Sequence, residues 1–191
     1  MRFSTARIGI IAAVTVIAVL ASCSVASAAL SAPACKAHSS KKKACFPKKI
    51  SGKFSGDNDC YSWSGKLSTR RHKEQTTYQY EGTGSFDWKY KPACNPSCTP
   101  SITSGTVAIK PGIVINRTRN PGQGWYYTGD DMGQQIILGK FVWDCGDGPR
   151  EPETEALTAA FYAGGQSKTL RTFKGKETFG TVYKWSLTGT N

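Results

Sequence analysis

Three carboxylate pairs, Asp57/Asp59, Asp130/Asp131 and Asp144/Asp147, are the side chains of this sequence best suited to acid–base chemistry. Glycoside hydrolysis needs two carboxyl groups roughly 5–10 Å apart across a cleft, one of them held protonated by its surroundings. Each pair, however, lies in a Gly- or Asn-rich stretch, where Asp is an ordinary turn residue. Asp57-Asn58-Asp59 begins like a calcium loop, but the glycine and the closing glutamate do not follow. His72 lies in Arg70-Arg71-His72-Lys73-Glu74 and could act with Glu74 as a general acid–base pair. On a charged turn an exposed histidine is the plainer reading. The chain has no Gly-x-Ser-x-Gly elbow, no P-loop and no His-Glu-x-x-His. No catalytic residue, metal or cofactor is assigned, and the chain reads as more a binder than an enzyme.

The cysteines carry different chemistry. Six of the seven, Cys35, Cys45, Cys60, Cys94, Cys98 and Cys145, follow a leader-like N-terminus, which predicts up to three disulfides with their pairing open. Cys94-Asn95-Pro96-Ser97-Cys98 is either one small ring or a turn whose two ends are stapled elsewhere. Cys35-x2-His38 and Cys94-x3-Cys98 have zinc-like spacings, but neither has a matching second half. The seventh, Cys23, closes Leu20-Ala21-Ser22-Cys23, which resembles the bacterial lipobox and would make Cys23 a lipidated N-terminus.

That leader begins with Arg2 and Arg7, followed by the uncharged run Ile8 to Leu20. The run fits a signal peptide and is short for a membrane span of about 20 residues. Ala26-Ser27-Ala28 offers ordinary cleavage, so residues 1–28 read as a signal peptide, or 1–22 if Cys23 is processed as a lipoprotein. Residues 29–48 then read as a basic tether, and 49–191 as one domain. The destination is extracytoplasmic, either secreted or lipid-anchored to the outer face of the cell membrane.

Charge is the other asset. The chain has 25 Lys+Arg against 13 Asp+Glu, a formal net charge of +12. Outside the cytoplasm such a charge attracts anionic polymers, an effect confined at physiological salt to cations clustered within about 8 Å. Lys41, Lys42, Lys43, Lys48, Lys49, Arg70 and Arg71 cluster by sequence and are the candidate polyanion contacts. Trp125 and Tyr126, flanked by glycine near a turn, are candidate glycan contacts, since aromatic faces can stack on sugar rings. The partner would be an anionic cell-envelope polymer or glycan. A small hydrolase using the Asp57/Asp59 and Asp130/Asp131 loops, and a barrel carrying an apolar ligand, are the alternatives.

What must hold these residues in place is a β scaffold. From Cys35 onward there are 17 Thr, 8 Tyr and 19 Gly but only 8 Ala and 5 Leu, which disfavours helices. Tyr61–Leu67, Phe86–Tyr90 and Tyr183–Leu187 alternate large apolar and polar residues with the period of a strand. Further strands are expected near Ile50–Phe54, Thr76–Tyr80, Gly105–Ile109, Ile113–Ile115, Trp125–Thr128 and Thr169–Phe173. Ile136–Trp143 reads as a central strand covered on both faces. Turns are expected at Asp57-Asn58, Pro111-Gly112, Asn120-Pro121-Gly122, Gly146–Pro149 and Gly164-Gly165. Glu153–Tyr162 fits a short helix or an alternating strand equally well. Phe54-x-Gly56 before Tyr61-x-Trp63 is echoed by Phe173-x-Gly175 before Tyr183-x-Trp185, and pairing of these hairpins would bring the first and last strands together. The expected fold is all-β: an antiparallel barrel or sandwich of roughly 8–10 short strands, disulfide-stapled, with at most one short helix.

Overall fold

The computed structural model describes residues 46–72 and 78–191, with the side chains of 117–120 left aside. The leader with Cys23, the tether up to Cys45 with Cys35, Lys41, Lys42 and Lys43, and Lys73 and Glu74 lie outside the described residues.

The described chain is all β. Its strands are β1 (Lys49–Asp57), β2 (Tyr61–Arg71), β3 (Tyr78–Tyr90), β4 (Thr99–Pro100), β5 (Ser104–Ile109), β6 (Gly112–Asn120) and β7 (Gly124–Asp130). They continue as β8 (Ile136–Phe141), β9 (Trp143–Asp144), β10 (Glu153–Leu157), β11 (Tyr162–Ser167), β12 (Thr172–Phe179) and β13 (Thr181–Thr190). One 3-10 turn at Pro92–Cys94 is the sole helical element among the described residues.

The main sheet runs β11-β7-β6-β3-β2-β1-β13-β12, every neighbour antiparallel. Gly84 stands opposite Ile109 on β5 and Glu81 opposite Gly112 on β6, so these two strands follow β3 in one unbroken register. They occupy one position in a ring of eight. Only the seam between β11 and β12 lacks a ladder, and the turn from Ser167 to Thr172 joins those strands. There the Ser167 hydroxyl accepts from the Leu170 N–H (3.0 Å) and donates to the Thr172 carbonyl (2.9 Å). The sheet is therefore a nearly closed up-and-down barrel.

Several expected turns and elements are corrected by this register. Pro111-Gly112 is not a turn. Proline has no N–H to give the ladder, which interrupts it there, but the Pro111 carbonyl still accepts from Gly82 (3.2 Å). Gly164-Gly165 lies inside β11, where an added Cβ at Gly164 would stand 3.1 Å from the Tyr162 hydroxyl. Those glycines make room rather than turn the chain. Tyr78–Tyr90 is one strand instead of two. Ile136–Phe141 is no central strand: β8 pairs with β10, and its Ile137 is 49% exposed. The alternating reading of Glu153–Tyr162 prevails over the helix, because its first half pairs with β8 as β10.

The echoed motif has a structural cause. β1 pairs with β13, so the first and last strands meet. Gly56 faces Trp63 and Gly175 faces Trp185 across their ladders, and a Cβ on either glycine would overlap the facing indole. Gly105 stands likewise opposite Trp88, with an added Cβ 2.9 Å from Nε1. Three buried tryptophans thus lie across three glycines, a cross-strand filling of the space a glycine leaves.

Both ends of the barrel are closed by chain. One end carries the β1–β2 turn, the β3–β5 connection, the β12–β13 turn and the long insertion between β7 and β11. In that insertion Phe141, Leu157, Ala160 and Phe161 are buried. Phe161 packs edge-on to Phe54 (5.3 Å), Phe141 stacks on Trp88 (5.5 Å), and Trp63 Nε1 donates to the Ala160 carbonyl (2.6 Å). The same end holds both disulfides, Cys60–Cys94 and Cys98–Cys145. Cys94 and Cys98 are therefore stapled to different partners, which settles the open question about their loop.

The opposite end carries the remaining connections and the outer termini of β1 and β13. Phe46 stacks on Tyr78 (3.5 Å), and Tyr80 donates its hydroxyl proton to the Pro47 carbonyl (2.8 Å). Phe46 and Pro47, read from sequence as tether, are buried parts of the domain. Burying Phe46 here covers the Tyr78 ring face and packs against Trp125, so apolar aromatic surface is taken from water.

Candidate functional site

The carboxylate pairs do not converge. Asp57 and Asp130 end strands four places apart in a ring of eight, on opposite sides of the barrel. Asp57 is ion-paired with Lys91, and Asp59 is exposed. Asp130 accepts from the Met132 N–H (2.8 Å), Asp144 from the Gly146 N–H (3.0 Å), and Asp147 faces Arg150 at 3.8 Å. These are turn and surface roles. His72 approaches Glu81 across the β2–β3 hairpin, at 3.9 Å. Among the described residues no group of three His, Cys, Asp or Glu side chains is arranged to hold a metal.

Asp131 differs from the rest. It is fully buried where the insertion begins, and its Oδ2 accepts the Ala160 N–H (2.6 Å) where the insertion ends. Burial pushes its pKa up, partly opposed by the backbone N–H groups of Ala160 and Phe161. The folded state therefore holds the Asp131 proton more tightly than the unfolded chain. Between the ordinary carboxylate value and the raised one, the folded protein binds more protons, so stability falls as pH rises through that window. Asp131→Asn should remove that loss. Urea unfolding at pH 4 and pH 7 checks this: the wild type should lose midpoint relative to the variant on going to pH 7. Equal pH dependence in the two proteins would show that Asp131 ionises freely.

The aromatic glycan candidates separate. Trp125 is half-buried, packed on the core with its ring edge-on to Phe46 (6.2 Å). Tyr126, the next residue on β7, points to the opposite face of the sheet and is 41% exposed. They share no surface.

The basic candidates, by contrast, gather. Lys49 stands directly opposite Arg70 on neighbouring strands, and the Arg71 N–H donates to the Lys48 carbonyl (2.9 Å). Arg71 Nη1 reaches the Phe46 carbonyl (3.4 Å) and helps hold the Phe46 segment in place. Sequence reasoning missed Lys168 and Arg171, which flank the β11–β12 turn at the same end. Arg171 is placed beside β13, its carbonyl accepting from Gly189 (2.9 Å), one residue from the partner of Lys49. Charge is thus segregated along the barrel. Of the described carboxylates Glu81 stands directly opposite Arg70 and Asp87 lies within β3; the others stand in or beside the connections of the disulfide end. Lys168 and Arg171 could have been found only by knowing that the β11–β12 turn returns to the N-terminal edge.

Fold and site together define a disulfide-stapled, nearly closed antiparallel β-barrel with an aromatic interior and one cationic end. No protein-family profile, no curated protein and no solved structure matches the chain. The disulfides are consistent with an extracellular location, and among the described residues no helix is long and apolar enough to cross a membrane.

Proposed function

We propose that this chain is an exported, non-enzymatic binding domain that holds an anionic polymer of the cell envelope against the basic end of its barrel. The observation that carries the reading is the segregation of charge: Lys48, Lys49, Arg70, Lys168 and Arg171 stand at one end, without an ion-pair partner among the described residues. A dense cationic end concentrates a polyanion by Coulomb attraction where scattered charges would not. The leader supports export, either by cleavage after Ala28 or by lipid anchoring at Cys23. With a lipid anchor at Cys23, Lys41, Lys42 and Lys43 would lie in the sequence between the anchor and the barrel domain.

Hydrolysis finds no support in carboxylates on opposite sides of the barrel. Carriage of an apolar ligand finds none in an interior occupied by Trp63, Trp88, Tyr127 and Trp185. The test is affinity for a soluble linear polyanion as a function of salt. With about four cations engaged, log K should fall with log salt at a slope of roughly −3 or steeper. A salt-independent affinity, or none at low salt, would refute the proposal.

A further inference from the structure

The outer face of the barrel holds cations that the basic end does not include. Residues directly opposite one another on neighbouring strands share a face. One row across that face reads Lys176–Lys184–Ser55–Ser64, and the next reads Lys174–Ser186–Lys53–Lys66. All five lysines are exposed, and none has an ion-pair partner among the described residues. Two of the cross-strand pairs, Lys176/Lys184 and Lys53/Lys66, set like charges directly opposite each other. Such pairs destabilise a sheet, so the arrangement works against the isolated fold. A bound anion would reverse the sign of that interaction.

The surroundings of these lysines indicate the kind of anion. Ser51, Ser68, Thr172 and Thr188 continue the face below the two rows and supply hydroxyls rather than carboxylates. Over β1, β2 and β3 lies an open hollow of ≈ 420 Å³, rimmed by Lys53, Ser64, Lys66, Ser85 and Asp87. Asp87, which accepts from the Thr106 hydroxyl, marks where the cationic face stops. Neither row nor the hollow rim includes an exposed aromatic ring, whereas proteins that hold single-stranded nucleic acid stack its bases on such rings. Four strands at about 4.8 Å spacing make the face about 14 Å wide, enough for several units of an extended chain.

We infer that the β12–β13–β1–β2 face is a track for a linear, hydroxyl-rich polyanion, namely a polyol or sugar chain linked by phosphodiesters. The lysines meet the phosphates and the Ser/Thr hydroxyls meet the polyol. This rests on the polyanion reading above but adds a second surface and a chemical class to it.

The experiment uses the oxidised, leader-free protein with poly(glycerol phosphate), inorganic polyphosphate and oligo(dT) matched in charge. Two triple variants are compared with the wild type: Lys53→Gln/Lys66→Gln/Lys184→Gln on the face, and Lys48→Gln/Lys49→Gln/Arg70→Gln at the end. Exposed Lys→Gln changes leave the fold within about 0.5 kcal/mol, so a changed salt slope reports contacts rather than folding. The face variant should flatten the slope for poly(glycerol phosphate) by about two units. Wild type should bind poly(glycerol phosphate) at least several-fold more tightly than polyphosphate or oligo(dT). An unchanged slope in the face variant with a flattened one in the end variant overturns the track and leaves the polyanion reading standing. Unchanged slopes in both overturn both. Equal or tighter binding of polyphosphate or oligo(dT) overturns the polyol class.

Discussion

Gly56→Ala should destabilise the domain by about 3 kcal/mol or more, at the upper end of what overpacking a core costs. The new methyl would overlap the Trp63 indole, which lies across Gly56 in the facing strand. That ring has little freedom to yield. Its Nε1 is bonded to the Ala160 carbonyl at 2.6 Å, and Tyr183 packs edge-on to it at 6.2 Å. Gly175→Ala should behave alike against Trp185, whose Nε1 is held by the Tyr127 hydroxyl at 2.8 Å. In a domain of this size 3 kcal/mol corresponds to a fall in Tm of roughly 10 °C. The double variant Gly56→Ala/Trp63→Leu should be less destabilised than the sum of its parts, because the smaller side chain vacates the overlap. A Gly56→Ala protein melting within 2 °C of wild type would mean that the indole does not lie there.

The second large effect belongs to the disulfides. Cys60–Cys94 closes a loop of sequence separation 34 and Cys98–Cys145 one of 47. Chain entropy assigns each about 4 kcal/mol of stabilisation. Domains are typically stable by about 5–15 kcal/mol, so opening both should leave this one marginal or unfolded at 37 °C. The effect is also local in origin. Cys60–Cys94 ties the β1–β2 turn to the chain leaving β3, and Cys98–Cys145 ties the residue before β4 to the residue after β9. Without them the long connections that cover one end of the barrel lose their anchors. Thermal melts with and without reductant, with mass spectrometry to verify thiol status, check this. Melting temperatures that agree within 2 °C would show that the ladders and aromatic core suffice alone.

The fold was largely legible because alternation is a local property. Tyr61-Ser62-Trp63-Ser64 and Tyr183-Lys184-Trp185-Ser186 announce their strands within a few residues, and the Gly–Trp echo foreshadows the meeting of β1 with β13. The errors came from glycine and proline, whose local meaning is ambiguous. Gly164-Gly165 and Pro111-Gly112 signal turns in isolation, yet the first lies inside β11 and the second joins β5 to β6 along β3 without turning the chain back. The extent of Tyr78–Tyr90 and the edge character of β8 likewise depend on long-range partners. The site was less legible for the same reason. Lys49 and Arg70 are 21 positions apart and stand opposite each other only through the β1–β2 register. Lys174, Lys176, Lys184, Lys53 and Lys66 are single polar letters in alternating strands until the ladder aligns them. Sequence density favoured the lysine tract instead, because density is what a linear reading can see.

The measurement that tests the central claim most directly is a map of backbone amide chemical-shift changes as poly(glycerol phosphate) is added to the oxidised domain at low salt. The account predicts concentrated changes at the basic end, at Lys48, Lys49, Arg70, Lys168 and Arg171, and along the β12–β13–β1–β2 face that carries Lys53, Lys66 and Lys184, reversed by added salt, with the insertion and the disulfide-end connections silent. Changes centred on the carboxylate-bearing disulfide end, or spread evenly over the barrel, would contradict it.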